Sequence, residues 1–295
     1  MKRRTTIPIG LLAAAALIAG CKDKAPNELA EAEAQAEAAP EIKMYVLDGG
    51  TVGVNNLQLF AQDETYKDQT AVFADAYYVI EHPKGTLMWD AGLPESLVAM
   101  GEPYTDPSGA FTVSRPDSLH TQLEQIGLSV DDIEYLALSH THFDHIGHAE
   151  NVAGATWLVQ ETEYDFATSE EMQQSQPDIY NSVNDLTKIK KIRGDYDVFG
   201  DGTVMIKFMP GHTPGHCALY VDLPQHGPLL LSGDLYHLQL NRQHKRVPIF
   251  NYDVKQTLES MELFEAFADS VGAKVYLQHS KEDFNALPKA PDYLK

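Results

Sequence analysis

Short apolar runs and amphipathic segments alternate along the chain from about residue 43 to its end. The runs have the length and the β-branched or aromatic content of buried strands. They lie at residues 44–47, 76–80, 86–89, 133–138, 155–159, 203–209, 217–223, 229–231 and 274–277. Apolar residues at helical spacing predict helices at residues 116–126, 161–167 and 254–271. We therefore predict one α/β domain over residues 43–295.

Two segments of this domain lack a clear period. Residues 95–112 are irregular, and residues 169–185 are polar, rich in Gln and interrupted by Pro177. The second segment could be a lid over a site or an ordinary surface insertion. We see no repeat at a fixed period anywhere in the sequence.

The first 42 residues differ from the rest in composition. Three basic residues at positions 2–4 precede an apolar run at residues 7–18, which is typical of a secretory signal peptide. The run ends in Ala-Gly-Cys21, which resembles a bacterial lipobox and predicts removal of residues 1–20 and a lipid on Cys21; a plain signal peptide and an uncleaved anchor are the alternatives. Residues 21–42 are rich in Ala and Glu and predict a solvated tether. We expect a lipid-anchored protein on the periplasmic face of a bacterial membrane, or a secreted one.

Charge and cysteine content narrow the classes of partner. The formal net charge is −21, from 22 basic and 43 acidic residues. Such a balance argues against nucleic acid, whose phosphates need a basic surface. It also favours neutral or cationic substrates over anionic ones. Apart from Cys21 the only cysteine is Cys217, whose apolar neighbours predict a buried small residue rather than a reactive thiol.

The most informative stretch has the pattern His-x-His-x-Asp-His and contains His140, His142, Asp144 and His145. Neither a helix nor a strand could aim all four side chains at one point, because helical neighbours are three or four residues apart and strand neighbours are two apart. We therefore place them on the loop that leaves the strand at residues 133–138. Imidazoles and a carboxylate clustered this tightly are what a zinc-class ion needs, although copper, iron and nickel also accept imidazole.

Three more candidate ligands lie beyond strands later in the chain. His216 ends the turn Gly-His-Thr-Pro-Gly-His, Asp234 follows Leu-Ser-Gly, and His279 follows a short apolar strand. In sheet-based enzymes, ligands gather where loops leave the carboxyl ends of strands. Together with the His-rich loop, these residues are numerous enough to hold two adjacent metal ions.

This series of motifs resembles the metallo-β-lactamase superfamily over residues 43–295. The resemblance implies an αββα sandwich with the site at one edge. It implies that His140, His142 and His216 hold the first metal, that Asp144, His145 and His279 hold the second, and that Asp234 bridges both. Two divalent ions are therefore expected, with Zn²⁺ first and iron, cobalt or manganese as alternatives.

The remaining polar residues near these motifs are predicted outside the ligand set. Asp90 matches a family aspartate that supports the ligands from behind, with a simple turn residue as the alternative. His212 and His148 are expected outside the ligand set. Histidines without a motif are predicted at the surface: His82, His120, His226 and His244.

Within the superfamily, residues 82–93, 194–202 and 231–237 resemble the N-acyl homoserine lactonase group. The resemblance implies a quorum-quenching hydrolase in which a hydroxide shared by two metal ions attacks the lactone carbonyl. Asp144 is implied to relay the proton to the departing oxygen. A small-molecule lactone or ester is therefore the expected substrate.

One position departs from the best-known lactonases. Three residues after the bridging Asp they carry a Tyr that hydrogen-bonds the substrate, whereas this chain has His237 there and Tyr236 one residue earlier. Either side chain could be the donor. Residues 57–60 and 169–185 could supply walls for an acyl pocket.

Other functions stay open on the sequence alone. A broader metallo-hydrolase of esters, thioesters, phosphotriesters or β-lactams would use the same ligands. An iron redox enzyme would use a related His/Asp site. A binding protein without catalysis would not need a complete ligand set for two metals.

Overall fold

The computed structural model describes residues 41–295. Fourteen strands within this range form two sheets. The strands are β1 (Lys43–Val54), β2 (Ala71–His82), β3 (Gly85–Trp89), β4 (Tyr104–Thr105), β5 (Phe111–Ser114), β6 (Tyr135–Ala137), β7 (Thr156–Gln160), β8 (Ile189–Ile192), β9 (Tyr196–Asp197), β10 (Val204–Phe208), β11 (Cys217–Leu223), β12 (Gly227–Leu231), β13 (Lys274–Tyr276) and β14 (Tyr293–Leu294).

The α-helices of the same range connect these strands or follow them. They are α1 (Ser96–Met100), α2 (Leu119–Gln125), α3 (Glu161–Ala167), α4 (Glu170–Ser175), α5 (Pro177–Asn184), α6 (Gln239–His244), α7 (Val254–Val271) and α8 (Lys281–Ala286). Short 3₁₀ turns occur at Leu57–Phe60, Glu64–Tyr66, Val130–Asp132, Ala149–Val152 and Gly233–Leu235.

The first sheet has the order β4-β5-β1-β2-β3-β6-β7-β8, with β14 also paired to β1, and the second has the order β13-β12-β11-β10-β9. Strands β3, β6 and β7 run parallel to one another, as do β12 and β13. The carboxyl ends of parallel strands meet at one edge of a sheet. The loops after β3, β6, β12 and β13 are therefore the places to look for a site.

Apolar side chains fill three layers around these sheets. Between the sheets, Val46, Ile80 and Trp89 of the first sheet pack with Leu219 and Leu231 of the second. A second cluster covers the outer face of the first sheet with α2, α4 and α5, and a third covers the second sheet with α7. This arrangement is the predicted αββα sandwich.

Helix α7 shows how the sequence sets an element. The side chain of Asp253 caps its first turn by accepting a hydrogen bond from the backbone N–H of Gln256, and Gly272 ends it with a φ of 65°. Met261 and Phe264 face the sheet and are fully buried, while Leu258, Phe267 and Val271 of the same stripe are partly buried. Replacing Phe264 with Ala would cost about 3–5 kcal/mol of folding free energy.

The structure confirms both ends of the helices predicted at residues 161–167 and 254–271, and it contains every predicted strand. The first strand is longer than predicted, because it continues past a bulge at Asp48 and Gly50. Strand β8 was missed because only Ile192 of its four residues is buried, so no apolar alternation marks it. The irregular segment 95–112 contains α1 and the short edge strand β4.

The predicted signal peptide, the lipidated Cys21 and nearly all of the predicted tether lie outside the described residues. Ile42, assigned above to the tether, is fully buried in the core between the sheets, so the packed part of the chain includes it. Within residues 41–295, no helix combines the length and the apolar character needed to cross a bilayer.

Candidate metal centre

Loops from both sheets converge at one edge of the sandwich. The His-rich loop follows β6 in the first sheet, whereas His212, Asp234 and His279 lie in loops after β10, β12 and β13 of the second. Their side-chain donor atoms form two compact groups. The first contains His140, His142, His212 and Asp234, and the second contains Asp144, His145 and His279.

In the first group, three imidazoles point at a common centre. Nδ1 of His142 lies 2.9 Å from Nε2 of His140 and 3.0 Å from Nε2 of His212. Oδ2 of Asp234 completes the group, 3.6 Å from Nε2 of His140 and 3.4 Å from Nε2 of His212. Three nitrogens and one carboxylate oxygen provide four donors, the number that zinc prefers.

The second group uses the other oxygen of the same aspartate. Oδ1 of Asp234 lies 3.2 Å from Nε2 of His145 and 3.0 Å from Nε2 of His279. The Asp144 carboxylate lies 3.9 Å from His145 and 3.7 Å from His279. Asp234 therefore faces both groups at once, which is the geometry expected of a bridging ligand.

His216 does not join either group, contrary to the expectation from the sequence. Its Nδ1 contacts the carbonyl oxygen of Met209 at 2.9 Å, and its Nε2 accepts a hydrogen bond from the backbone N–H of Asp234 at 3.0 Å. Both ring nitrogens are thus engaged. Burial, with nearby His212, lowers the pKa of His216 to about 3, so the ring stays neutral and holds the Asp234 backbone in place.

His212, rather than the predicted His216, belongs to the first group. The two histidines lie four residues apart in one Gly-His-Thr-Pro-Gly-His turn between β10 and β11. Residue type alone does not distinguish them. The tertiary structure points the first toward the centre and the second into the backbone behind it.

Several groups behind the ligands fix their orientation. Asp90 follows β3; its Oδ1 accepts a hydrogen bond from the backbone N–H of Ser139 at 2.6 Å, and its Oδ2 lies 3.1 Å from Nδ1 of His145. Nδ1 of His279 contacts the carbonyl oxygen of Ala74 at 2.9 Å. Each contact leaves Nε2 of the imidazole facing the centre. Asp90 thus contacts the ligand loop and is more than a turn residue.

Electrostatics differ between the two groups. Burial and neighbouring imidazoles lower the pKa of His140 and of His142 well below the usual value, so both rings are neutral donors. Burial also disfavours charge on His279, but the carboxylates of Asp234 and Asp144 outweigh it and raise its pKa to about 9. For His145 the same balance, with Asp90 added, raises the pKa well above its usual value. The second group therefore favours positive charge.

The donor atoms fit metal ions. Within residues 41–295, Nε2 of His145, Nε2 of His279 and Oδ1 of Asp234 are buried and have no hydrogen-bond partner. Buried polar atoms that lack partners are costly unless something else satisfies them. Oδ1 of Asp234 lies 3.2 Å from Nε2 of His145 and 3.0 Å from Nε2 of His279, as expected of atoms that share an ion. Nitrogen and oxygen donors of this kind suit zinc and its first-row neighbours.

A cavity of about 290 Å³ opens over the two groups. Its floor includes His142, Asp144, Asp234, His237 and His279. Its walls are mainly apolar, from Val52, Leu59, Phe60, Phe73, Phe111, Phe143 and Phe250. The segment at residues 57–60 lines it as expected, whereas the segment at residues 169–185 contributes Gln176 alone among its lining residues.

His237 and Tyr236 have different surroundings. Nε2 of His237 lies 3.0 Å from Oδ2 of Asp234, and its ring stacks on His279 at 5.7 Å. Burial outweighs the attraction of Asp234 and lowers the pKa of His237 to about 4, so its ring is neutral. Tyr236 instead packs edge-to-face on Phe264 in the core under α7. The expectation that Tyr236 could contact substrate is therefore wrong.

The other histidines follow the predictions with one exception. His148 is buried, 2.7 Å from Nη1 of Arg115 and outside both groups, and His120, His226 and His244 are exposed. His82 was predicted at the surface but is buried, because its ring stacks on Phe199 at 4.2 Å and its Nε2 lies 3.1 Å from Asp201. Cys217 is buried, as expected.

The family model of the metallo-beta-lactamase superfamily matches residues 71–279. The chain is 28% identical over 276 residues to the N-acyl homoserine lactonase AttM of Azorhizobium caulinodans, covering 86% of this chain and 98% of that protein. It is 27% identical over 221 residues to the N-acyl homoserine lactonase AiiA of Bacillus thuringiensis subsp. kurstaki, covering 74% and 85%.

Solved structures show the same fold. One is an N-acyl homoserine lactone hydrolase with the product N-hexanoyl-L-homoserine bound at its catalytic metal centre; the TM-score is 0.72 at 24% identity, over 85% of this chain and 98% of that one. Another is AidC, a dizinc quorum-quenching lactonase, with a TM-score of 0.62 at 20% identity, over 87% and 94%.

Proposed function

Because the chain belongs to the metallo-beta-lactamase superfamily, we propose that it is a two-metal hydrolase that opens the ring of N-acyl homoserine lactones. One observation carries the proposal. Asp234 places one carboxylate oxygen in each of two ligand groups, on the floor of a cavity with aromatic walls. The names of its relatives AttM and AiiA supply the substrate class.

The ligands in this proposal are His140, His142, His212 and Asp234 for one ion, and Asp144, His145, His279 and again Asp234 for the other. When bound, two such ions activate water and polarise the substrate carbonyl. The neutral imidazoles of His140 and His142 are ready to bind without losing a proton. We propose Zn²⁺ because the donors are nitrogen and oxygen in a four-donor arrangement, with iron, cobalt and manganese as alternatives.

Two side chains of the floor act on the substrate in this proposal. Asp144 lines the cavity, and in this proposal its carboxylate takes up the proton that the attacking water loses and passes it to the alkoxide that leaves when the ring opens. His237 stands where related lactonases carry Tyr. Its ring lines the cavity beside Asp234, which supports a contact between His237 and the lactone.

The walls suit the acyl chain of the substrate. Phe60 and Phe73 pack edge-to-face at 5.1 Å, and Phe60 packs the same way on Phe250 at 5.4 Å. Apolar transfer contributes roughly 0.8 kcal/mol for each buried methylene, so acyl chains long enough to reach these rings should bind more tightly than short ones.

A substrate panel tests the proposal. The purified protein, loaded with Zn²⁺, is given acyl homoserine lactones, a thioester, a phosphotriester and a β-lactam. We expect the lactones to be opened fastest. If lactones are inert while a thioester or phosphotriester is hydrolysed, the chain is instead a hydrolase of broader or different specificity.

The variant Asp234→Asn tests the bridging role. Loss of the carboxylate should lower kcat by a factor of about 10³ or more, because an amide cannot bind a metal ion in both groups as the carboxylate does. Asp222→Asn is the matched control, since Asp222 lies in β11 of the same sheet but is exposed. Full activity in Asp234→Asn would contradict the assignment of Asp234 as the bridging ligand.

We also propose that the protein is anchored by a lipid on Cys21 at the periplasmic face of a bacterial membrane. Support comes from the basic and apolar segments and the Ala-Gly-Cys21 boundary in the sequence. Fractionation of cells that express Cys21→Ser checks this. The variant should leave the membrane fraction, and an unchanged distribution would contradict lipidation.

A further inference from the structure

Glu163 lies behind the first ligand group and belongs to none of the motifs considered above. It is in helix α3, and its side chain is 2% exposed. One carboxylate oxygen, Oε1, accepts hydrogen bonds from the backbone N–H of Thr141 at 2.8 Å and from its hydroxyl at 2.7 Å. The other, Oε2, accepts a hydrogen bond from the backbone N–H of Gly215 at 2.8 Å.

These two partners belong to separate ligand loops. Thr141 stands between His140 and His142 in the loop after β6, which leaves the first sheet. Gly215 lies in the turn between β10 and β11 of the second sheet, three residues after His212. A single buried carboxylate therefore connects the backbones that carry all three imidazoles of the first group.

The close approach is built into the chain. A Cβ placed on Gly215 would lie 2.4 Å from Cβ of Glu163 and 2.6 Å from its backbone nitrogen. Any side chain at residue 215 would push α3 away from the turn. The absence of a side chain at Gly215 thus permits the hydrogen bond from its backbone N–H to Glu163.

We infer that Glu163 is a positioning residue for the first metal group and acts by holding the His140–His142 loop against the His212 turn. The inference rests on the proposed metal centre but not on the identity of the substrate. Only a carboxylate can accept from all three donors, because a glutamine would have to turn its NH₂ toward an N–H group. Burying a charged group here is tolerated because charge-assisted hydrogen bonds satisfy both oxygens.

The inference predicts a selective effect on metal binding. The second group receives its support from Asp90 and from the Ala74 carbonyl, not from Glu163. The variant Glu163→Gln should therefore weaken one Zn²⁺ site by about 10–100-fold, the usual effect of losing such a supporting partner, and leave the other nearly unchanged. A general loss of stability would weaken both sites together.

Competition between the full-length protein and a chromophoric chelator for Zn²⁺ measures both sites without any substrate. The matched control is Glu161→Gln, which lies in the same helix but pairs with Arg193 at the surface. Thr141→Val is a milder second variant that keeps the backbone donor and loses the hydroxyl. It should show a smaller loss at the same site.

Two outcomes would overturn the inference. One is unchanged affinity at both sites in Glu163→Gln. The other is an equal loss at both, accompanied by a lower melting temperature of the metal-free protein. If the wild-type protein binds two Zn²⁺ but opens no lactone, the proposed function fails while the role of Glu163 stands.

Discussion

At the scale of single residues, the assignment of ligands depends on where a side chain points. His212 and His216 share a turn and a residue type, yet Nε2 of His212 faces Asp234 Oδ2 at 3.4 Å while Nε2 of His216 accepts from the Asp234 backbone. One histidine contacts the carboxylate and the other contacts the main chain of the same residue. The two should therefore respond differently to substitution.

The pair His212→Ala and His216→Ala tests this distinction. Loss of His212 should leave about one tightly bound metal ion and remove activity, because the first group loses one of its nitrogens. Loss of His216 leaves the buried N–H of Asp234 unpaired, which should cost about 1–3 kcal/mol of stability. The metal content after gel filtration and the melting temperature distinguish the two variants. Retention of both ions in His212→Ala would contradict the assignment of His212 and favour His216 as the ligand.

Asp75 shows a second effect of position. Its side chain is fully buried in β2, and within residues 41–295 neither carboxylate oxygen has a hydrogen-bond partner. Burial, with the nearby charge of Asp144, raises its pKa to about 8. In an unfolded chain an aspartate titrates near about 3.9, so the folded state binds the extra proton between these two values.

Stability should therefore fall as the pH rises from about 4 to about 8, since in this window the folded state keeps a proton that the unfolded state has lost, and a lower proton concentration favours the unfolded state. Asp75→Asn has no such titration. In chelator-treated protein, its melting temperature should rise relative to the wild type across this window. A difference between the two proteins that does not vary with pH would contradict the assignment.

At the scale of elements, the His-rich loop is held by contacts between backbones. The N–H of Gly147 donates a hydrogen bond to the carbonyl of Gly92 at 2.7 Å, and that of Ala91 to the carbonyl of His145 at 2.8 Å. The loops after β3 and β6 are thus fastened to each other. A Cβ on Gly147 would lie 2.1 Å from the carbonyl carbon of Leu93.

Gly147→Ala should therefore force these two loops apart. The clash is with backbone, which cannot rotate away, so we expect a loss of about 3 kcal/mol and weaker metal binding through His145. Gly154→Ala is the control, because in the described part of the chain no atom lies within 4 Å of a Cβ built there. Chemical denaturation measures both variants, and equal stability would show that the loops can separate freely.

At the scale of the whole molecule, the proposed centre joins the two sheets. His140, His142 and His145 come from the first sheet, whereas His212, Asp234 and His279 come from the second. Ions held between them would cross-link the sandwich at one edge. Binding to the folded state alone adds stability by mass action.

Removal of metal should therefore lower the melting temperature. An ion at 100 times its Kd contributes about 2.7 kcal/mol, which corresponds to a fall of roughly 5–10 °C on chelation for a domain of this size. Calorimetry with and without a chelator measures it, and added Zn²⁺ should restore the original value. The melting temperature of Asp222→Asn should fall by the same amount on chelation, while that of Asp234→Asn should change far less.

The sequence predicted most of the elements because their signals are local. Helix α7 has an amphipathic stripe and a glycine stop, and the predicted strands are runs of buried residues. Strand β8 carries no such local signal, since three of its four residues are exposed. The signal of the His-rich loop after β6 is also local, because its four candidate metal ligands fall within six residues.

By itself, the sequence predicted the αββα class, which the structure confirms, and it named six of the seven residues that we propose as ligands, since motif order and residue type suffice for these predictions. Only the tertiary structure decided between His212 and His216, moved Tyr236 into the core and buried His82. It also brought Glu163 to both ligand loops. Each of these depends on contacts between segments far apart in the chain, and side-chain direction at such contacts leaves no periodic trace in the sequence.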